Sequence, residues 1–297
     1  MRFLTTLALA AGICPSALAQ APKASSLWDI PATTLATPPA LETGATAAFW
    51  NPAATFRSRG LAIGGQVIQT PEQLGLRGLI AGVSGSLTPH LAVGIVFGRV
   101  EVGDLIRTSS SPIAEAGDIP VYEQAGGAAV AARIGPADVG VLVRAHDARF
   151  DVFRQAGLSG DLGVSVALPM GFRVAATSRF QSFQPKIQAP AQYDAAIGYQ
   201  SPTQSAWGTP VRAGLRYGLH AAPHASLEHT VGMGIEIISR LRTDLALVRE
   251  ASFHDVLWRV VLGISIQAGP YSIIAARSSG LSGLGANYRV GLDVTFD

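Results

Sequence analysis

From Gly60 to the C-terminus the chain alternates apolar residues with polar or small ones at a spacing of two, the periodicity of β-strands whose two faces meet different surroundings. The last segment is the plainest: Tyr288, Val290, Leu292, Val294 and Phe296 alternate with Asn287, Arg289, Gly291, Asp293 and Thr295. Val256, Trp258, Val260, Leu262, Ile264 and Ile266 repeat the pattern, as do Val211, Ala213, Leu215, Tyr217 and Leu219. Breaks fall at Pro71, Pro89, Pro136, Pro169, Pro185, Pro202, Pro223 and Pro270, where a central ladder cannot continue. The spacing predicts strands at 60–69, 76–87, 91–102, 121–134, 138–149, 158–168, 172–183, 192–200, 209–220, 227–238, 243–250, 255–267, 271–278 and 286–296. That makes an even number, about 14, with 12 as the alternative reading of the stretch from Pro185 to Ile238.

Many of these strands run to nine residues or more, as tilted membrane strands do. Composition supports a membrane wall. Mean hydropathy is +0.31 and only 14% of residues are charged, yet beyond the first 20 residues no apolar run of 18 exists to make a spanning helix. A soluble sandwich would alternate too, but it calls for shorter strands, larger core residues and more lysine; lysine occurs only at Lys23 and Lys186. The expected fold is therefore all-β, an antiparallel transmembrane β-barrel. Turns at Pro89, Pro136, Pro169, Pro202 and Pro270 then share the periplasmic end, with the polar Gly103 to Pro120 loop outside.

Residues 1–19 read as a secretory signal: Arg2, an apolar stretch from Phe3 to Ile13, and an Ala17-Leu18-Ala19 cleavage site. Ile13 before Cys14 argues against a lipoprotein. Cleavage removes the single cysteine and leaves 21 basic against 20 acidic residues, a balance that points away from nucleic acid. Residues 20–58 form a leader and a luminal segment, with 59–297 as the barrel. Within the leader, Leu41 to Phe56 is expected to make short helical turns on either side of Pro52.

If the apolar rows face lipid, the alternate rows line the lumen: Arg133, Arg144, His146, Asp161, Arg173, Arg179, Asp194, Arg212, Arg216, Glu236, Asp255, Arg259, Arg289 and Asp293. Eight arginines face five carboxylates in this set. Two readings stay open, a salt-bridged network stiffening the wall or a lining that favours anions. No catalytic motif is present, no cofactor is implied, and Pro223 between His220 and His224 spoils a helical metal pair.

The stretch Gly44 to Ala54 (GATAAFWNPAA) resembles the N-terminal signature of the FadL-type long-chain fatty-acid transporters and the related PorV-type outer-membrane proteins, through Phe49-Trp50-Asn51-Pro52-Ala53. The resemblance implies that this segment folds into the lumen as a plug, with Phe49, Trp50, Asn51, Pro52 and Phe56 as its core and as candidates for contact with a hydrophobic ligand. It implies passive uptake of hydrophobic compounds, or, on the PorV branch, a scaffold for a secretion partner protein. The closing strand, with Tyr288 and Phe296, resembles the signal read by the barrel assembly machinery, displaced by the final Asp297. Outer-membrane lipids are the remaining expected partner.

Overall fold

The computed structural model of the chain describes residues 26–57, 60–71, 74–105, 119–183, 191–206, 208–222, 227–252, 255–280 and 285–296. The strands are β1 (Leu61–Gln69), β2 (Leu76–Thr88), β3 (Leu91–Val102), β4 (Val121–Ile134), β5 (Ala137–Phe150), β6 (Phe153–Ala167), β7 (Phe172–Ser182) and β8 (Gln192–Gln200). They continue as β9 (Gln204–Ala206), β10 (Thr209–Ala221), β11 (Glu228–Ile237), β12 (Leu241–Ser252), β13 (Asp255–Ala268), β14 (Tyr271–Ser278) and β15 (Asn287–Phe296). Fourteen of them form a closed antiparallel barrel in chain order; β8 pairs directly with β10, and β15 returns to β1 with Phe296 opposite Leu61. The remaining strand, β9, is a three-residue hairpin arm on the start of β10. A closed ring leaves no edge strand, which a spanning sheet in lipid requires.

The predicted strands match the observed ones within about two residues, with two exceptions. β6 begins at Phe153 rather than 158, because Asp151 and Val152 make a two-residue turn that pairs Phe150 with Phe153. Residues 153–156 are exposed on both faces, so nothing imposed an alternating sequence there. β9 was expected to be part of a turn, and Pro202 and Pro210 on its flanks disguise it.

The outward rows are apolar, with Ile95 67%, Leu215 58% and Val290 57% exposed. Such residues recur on strand after strand, an apolar girdle far larger than soluble monomers expose. A ten-residue strand tilted by about 45° rises roughly 23 Å, close to the apolar band of outer-membrane barrels. The turns at Pro89, Pro136, Pro169, Pro202 and Pro270 all lie at the end that holds the start of β1 and the finish of β15, here called the terminal end.

Residues 26–57 fill the lumen. They form a one-turn helix, α1 (Asp29–Ala32), and 3-10 turns at Pro39–Leu41, Ala47–Phe49 and Pro52–Arg57. The last two are the helical turns expected on either side of Pro52. The stretch before Pro39, part of the expected leader, also packs inside the barrel: Trp28 and Leu35 are buried there. The Ser26 hydroxyl donates to Glu123 at 2.8 Å near the far end of β4, whereas Phe56 packs on Ala92 and Ala131 near the terminal end. The plug thus descends the full lumen before the chain turns into β1. The signal sequence, the greater part of the Gly103 to Pro120 loop (106–118), His224 and the Asp255 side chain lie outside the described residues.

Candidate functional site

The wall around the plug has two characters. The inner faces of β1 to β5 contribute Ile68, Leu76, Ile80, Val96, Val100 and Leu142, which form one buried cluster with Trp28, Phe49 and Trp50 of the plug. This corrects the expectation that the rows facing the lumen are polar: on these strands much of the inner face is apolar as well. The signal was in the sequence, since β2 and β3 carry apolar residues at consecutive positions (LeuIleAla at 79–81, IleValPhe at 95–97) rather than strictly alternating ones. From β5 onward the inner face becomes charged.

The Gly44 to Ala54 stretch is explained residue by residue. Gly44 has φ +97 and, with Gly64 opposite it on β1, makes room for the Asp293 carboxylate, which accepts the Ala45 N–H at 3.3 Å. Ala45, Ala47 and Ala48 are buried and small, and the backbone at Ala45 lies against Gly82 so closely that a Cβ there would overlap it. Phe49 packs on Trp28 with ring centroids 4.7 Å apart, and on Trp50 edge-on at 5.3 Å. Asn51 is fully buried; its Nδ2 donates to the Ala40 carbonyl at 2.8 Å and its Oδ1 accepts the Ala53 N–H at 3.0 Å. Asn51 is therefore the N-cap of the Pro52–Arg57 turn, with Pro52 at the first position where a missing N–H costs nothing.

Arginines of the wall close over these rings. Arg144 lies 4.7 Å from the Phe49 ring and 4.5 Å from Phe180, and its Nη2 donates to the Phe49 carbonyl at 3.1 Å. Arg179 and Arg289 approach the Trp50 ring at 5.1 and 6.0 Å, and Arg133 stacks over Phe56 at 4.6 Å. Each buried cation has an acid: Arg144 pairs with Asp161, Arg179 with Asp194 at 3.0 Å, and Arg289 with Glu42 of the plug at 3.6 Å. His220 joins through Nδ1, 2.8 Å from Asp194. Arg289 also donates to Gln66 on β1. Buried pairs of this kind define position more than they add net stability. Burial pushes the Asp29 carboxyl up to about 6, against the pull of His220 and Arg179, and burial also lifts Glu42.

The structure places residues expected in the lumen at two levels. Arg144, Arg179, Arg259, Arg289, Asp161, Asp194 and Asp293 are buried around the plug, while Arg173, Arg212, Arg216 and Glu236 line a cavity of about 630 Å³ at the terminal end. Two smaller cavities of about 100 and 80 Å³ flank the plug higher up. Tyr288 and Phe296 point outward, half exposed on the closing strand.

Several residues of the site lay outside the predicted set: Trp28, Asp29, Thr37, Glu42, Phe180, His220, Arg242 and Asp244. Arg242 escaped because the predicted strand began at 243, two residues late. Trp28 sits in a stretch with no period to place it.

No protein-family model matches the sequence, and no curated protein matches it. Among solved structures, the toluene transporter TbuX of Ralstonia pickettii superposes with a TM-score of 0.53 at 13% identity, over 85% of this chain and 94% of that one. The Acinetobacter baumannii outer membrane protein Omp33 gives 0.50 at 9% identity, over 80% and 98%. At these identities the likeness is one of fold, that of an outer-membrane β-barrel.

Proposed function

We propose that the chain is an outer-membrane β-barrel of a Gram-negative envelope, terminal end toward the periplasm, through which small hydrophobic solutes pass when the plug yields. One observation carries this reading: an aromatic plug seated on an apolar strip of the inner wall, Ile68, Leu76, Ile80, Val96, Val100 and Leu142. A water-filled porin lumen has no use for such a strip, whereas displacement of Trp28, Phe49 and Trp50 would uncover an apolar track along β1 to β5. The FadL-like N-terminal stretch and the fold shared with a toluene transporter support it. Phe49, Trp50 and Phe56 are then the side chains a solute replaces.

A second reading has its own support. Phe49 and Trp50 have no solvent-accessible surface and are shut in by the Arg144–Asp161 and Arg179–Asp194 pairs, as befits a non-conducting scaffold of PorV type that binds a secretion partner through its outer loops. Flux into liposomes decides. Toluene and oleate uptake is expected with the whole protein and should rise when residues 20–56 are deleted, in a barrel shown to be folded by heat-modifiable gel migration. No uptake by either form would remove the transport reading and leave the scaffold.

A further inference from the structure

The cavity at the terminal end carries a charge pattern that passage of hydrophobic solutes does not call for. Five arginines line it, Arg133, Arg173, Arg212, Arg216 and Arg242. Arg133 is matched by both oxygens of Asp138 at 2.7 and 3.3 Å. Arg216 and Arg242 share one acid, Asp244, at 2.7 and 2.8 Å, and both also reach the Thr37 hydroxyl of the plug, at 3.2 and 3.4 Å. Arg212 comes only within 4.0 Å of Glu236 and gives its Nε to the Thr203 hydroxyl at 2.7 Å. Arg173 has no carboxylate partner among the described residues; its Nη1 donates to the Ser165 hydroxyl at 3.1 Å. Glu42, close by, is taken by Arg289. Five cations against the three carboxylates Asp138, Glu236 and Asp244 leave a surplus of two positive charges.

Register gives that surplus a shape. Arg173 on β7 and Arg216 on β10 both stand opposite Gly198 on β8. The two inward arginines are therefore two strand spacings apart, roughly 10 Å at Cα; Gly198 adds no side chain of its own there, and Leu41 of the plug lies over it and lines the cavity. Planar guanidiniums receive carboxylates two hydrogen bonds at a time. A single tetrahedral ion is too small to engage both, so a ligand with an anionic group at each end fits the span. The volume is in the range of small-molecule sites, about 300–1,000 Å³.

We propose that this cavity is a binding site for a small organic anion with two or three carboxylates, held between Arg173 and Arg216 beside Leu41. It goes beyond the transport reading and stands apart from it, since anion binding is measured without flux. The test is calorimetric titration of citrate into the purified, folded protein in detergent at low salt. Saturable binding at one site is expected, weakening steeply as sodium chloride is added. Acetate and inorganic phosphate should each bind at least about tenfold more weakly, and Arg173→Gln should lose about tenfold or more, the size of one charge-assisted hydrogen-bond pair. Should Arg173→Gln fail to migrate as a folded barrel, Arg173→Lys keeps the charge but not the fork and is expected to weaken citrate by about threefold or more. Absence of citrate binding, phosphate binding as tight as citrate, or unchanged affinity in the folded variant would overturn the proposal.

Discussion

Asn51 organises the plug more than the aromatic residues beside it. Both ends of its amide are used inside a site with no water access, one on the Ala40 carbonyl and one on the Ala53 N–H, so removing the side chain takes a hydrogen bond from two backbone groups at once. Asn51→Ala is expected to weaken plug docking by about 2 kcal/mol, seen as faster amide exchange in residues 39–57 with barrel strands unchanged. The sequence pointed to this position through its resemblance to the FadL-type signature, and the Asn-Pro pair carries the local chemistry of a capped turn. It pointed to nothing at Thr37 or Glu42, whose roles come from Arg216, Arg242 and Arg289, partners contributed from far along the chain. Local patterns report local physics, and contacts between a non-repeating segment and a distant wall leave no period to read.

The pairing of β6 with β7 shows the same division in a pair of strands. The register shifts between Gly160 and Leu162, where Phe180 adopts φ +58, a left-handed conformation that costs a non-glycine residue about 1–2 kcal/mol. The extra residue turns both Arg179 and Phe180 inward, beneath the plug rings, and the Phe180 N–H is taken by Asp161 at 2.8 Å. Asp161 therefore holds a bulge and a buried cation together, since it also pairs with Arg144. Asp161→Ala is expected to cost roughly 3–5 kcal/mol by leaving Arg144 buried without its anion. A lower temperature for the heat-induced gel shift is the readout, and an unchanged temperature would show that the wall tolerates the loose guanidinium. Alternation on each side of the bulge is intact, which is why the strands were predictable and the bulge was not.

Across the barrel, the low charge and high glycine content acquire separate meanings. Apolar outward rows set the hydropathy, while inward glycines such as Gly140 and Gly163 leave room for the Asn51 to Ala53 backbone; a Cβ at either would overlap it or its side chain. Gly140→Val should therefore displace the plug without opening the barrel, detectable as protease cleavage within 26–57 while gel migration stays that of a folded barrel. Plug retention should also depend on pH. The Asp29 carboxyl titrates at about 6 when docked, against 3.8 when free. Its contribution is thus fully present below about pH 4, declines between 4 and 6, and is lost above 6, a change on the order of 2–3 kcal/mol. Glu42 acts in the same direction. Amide protection of the plug should fall as pH rises from 4 to 7, and Asp29→Asn should flatten that profile.

The last strand of the barrel is also the one that grips the plug: Asp293 takes the Ala45 N–H and Arg289 takes Glu42, while β15 zips onto β1, into which the plug leads. Sealing the wall and seating the plug therefore draw on the same strand, through residues some 248 positions apart in the chain. Such late, non-local contacts are the slow step of β folding. A chain without its plug would reach the same seam with Glu42 missing from Arg289 and the Ala45 N–H missing from Asp293, so it should fold to a similar barrel but close it more slowly.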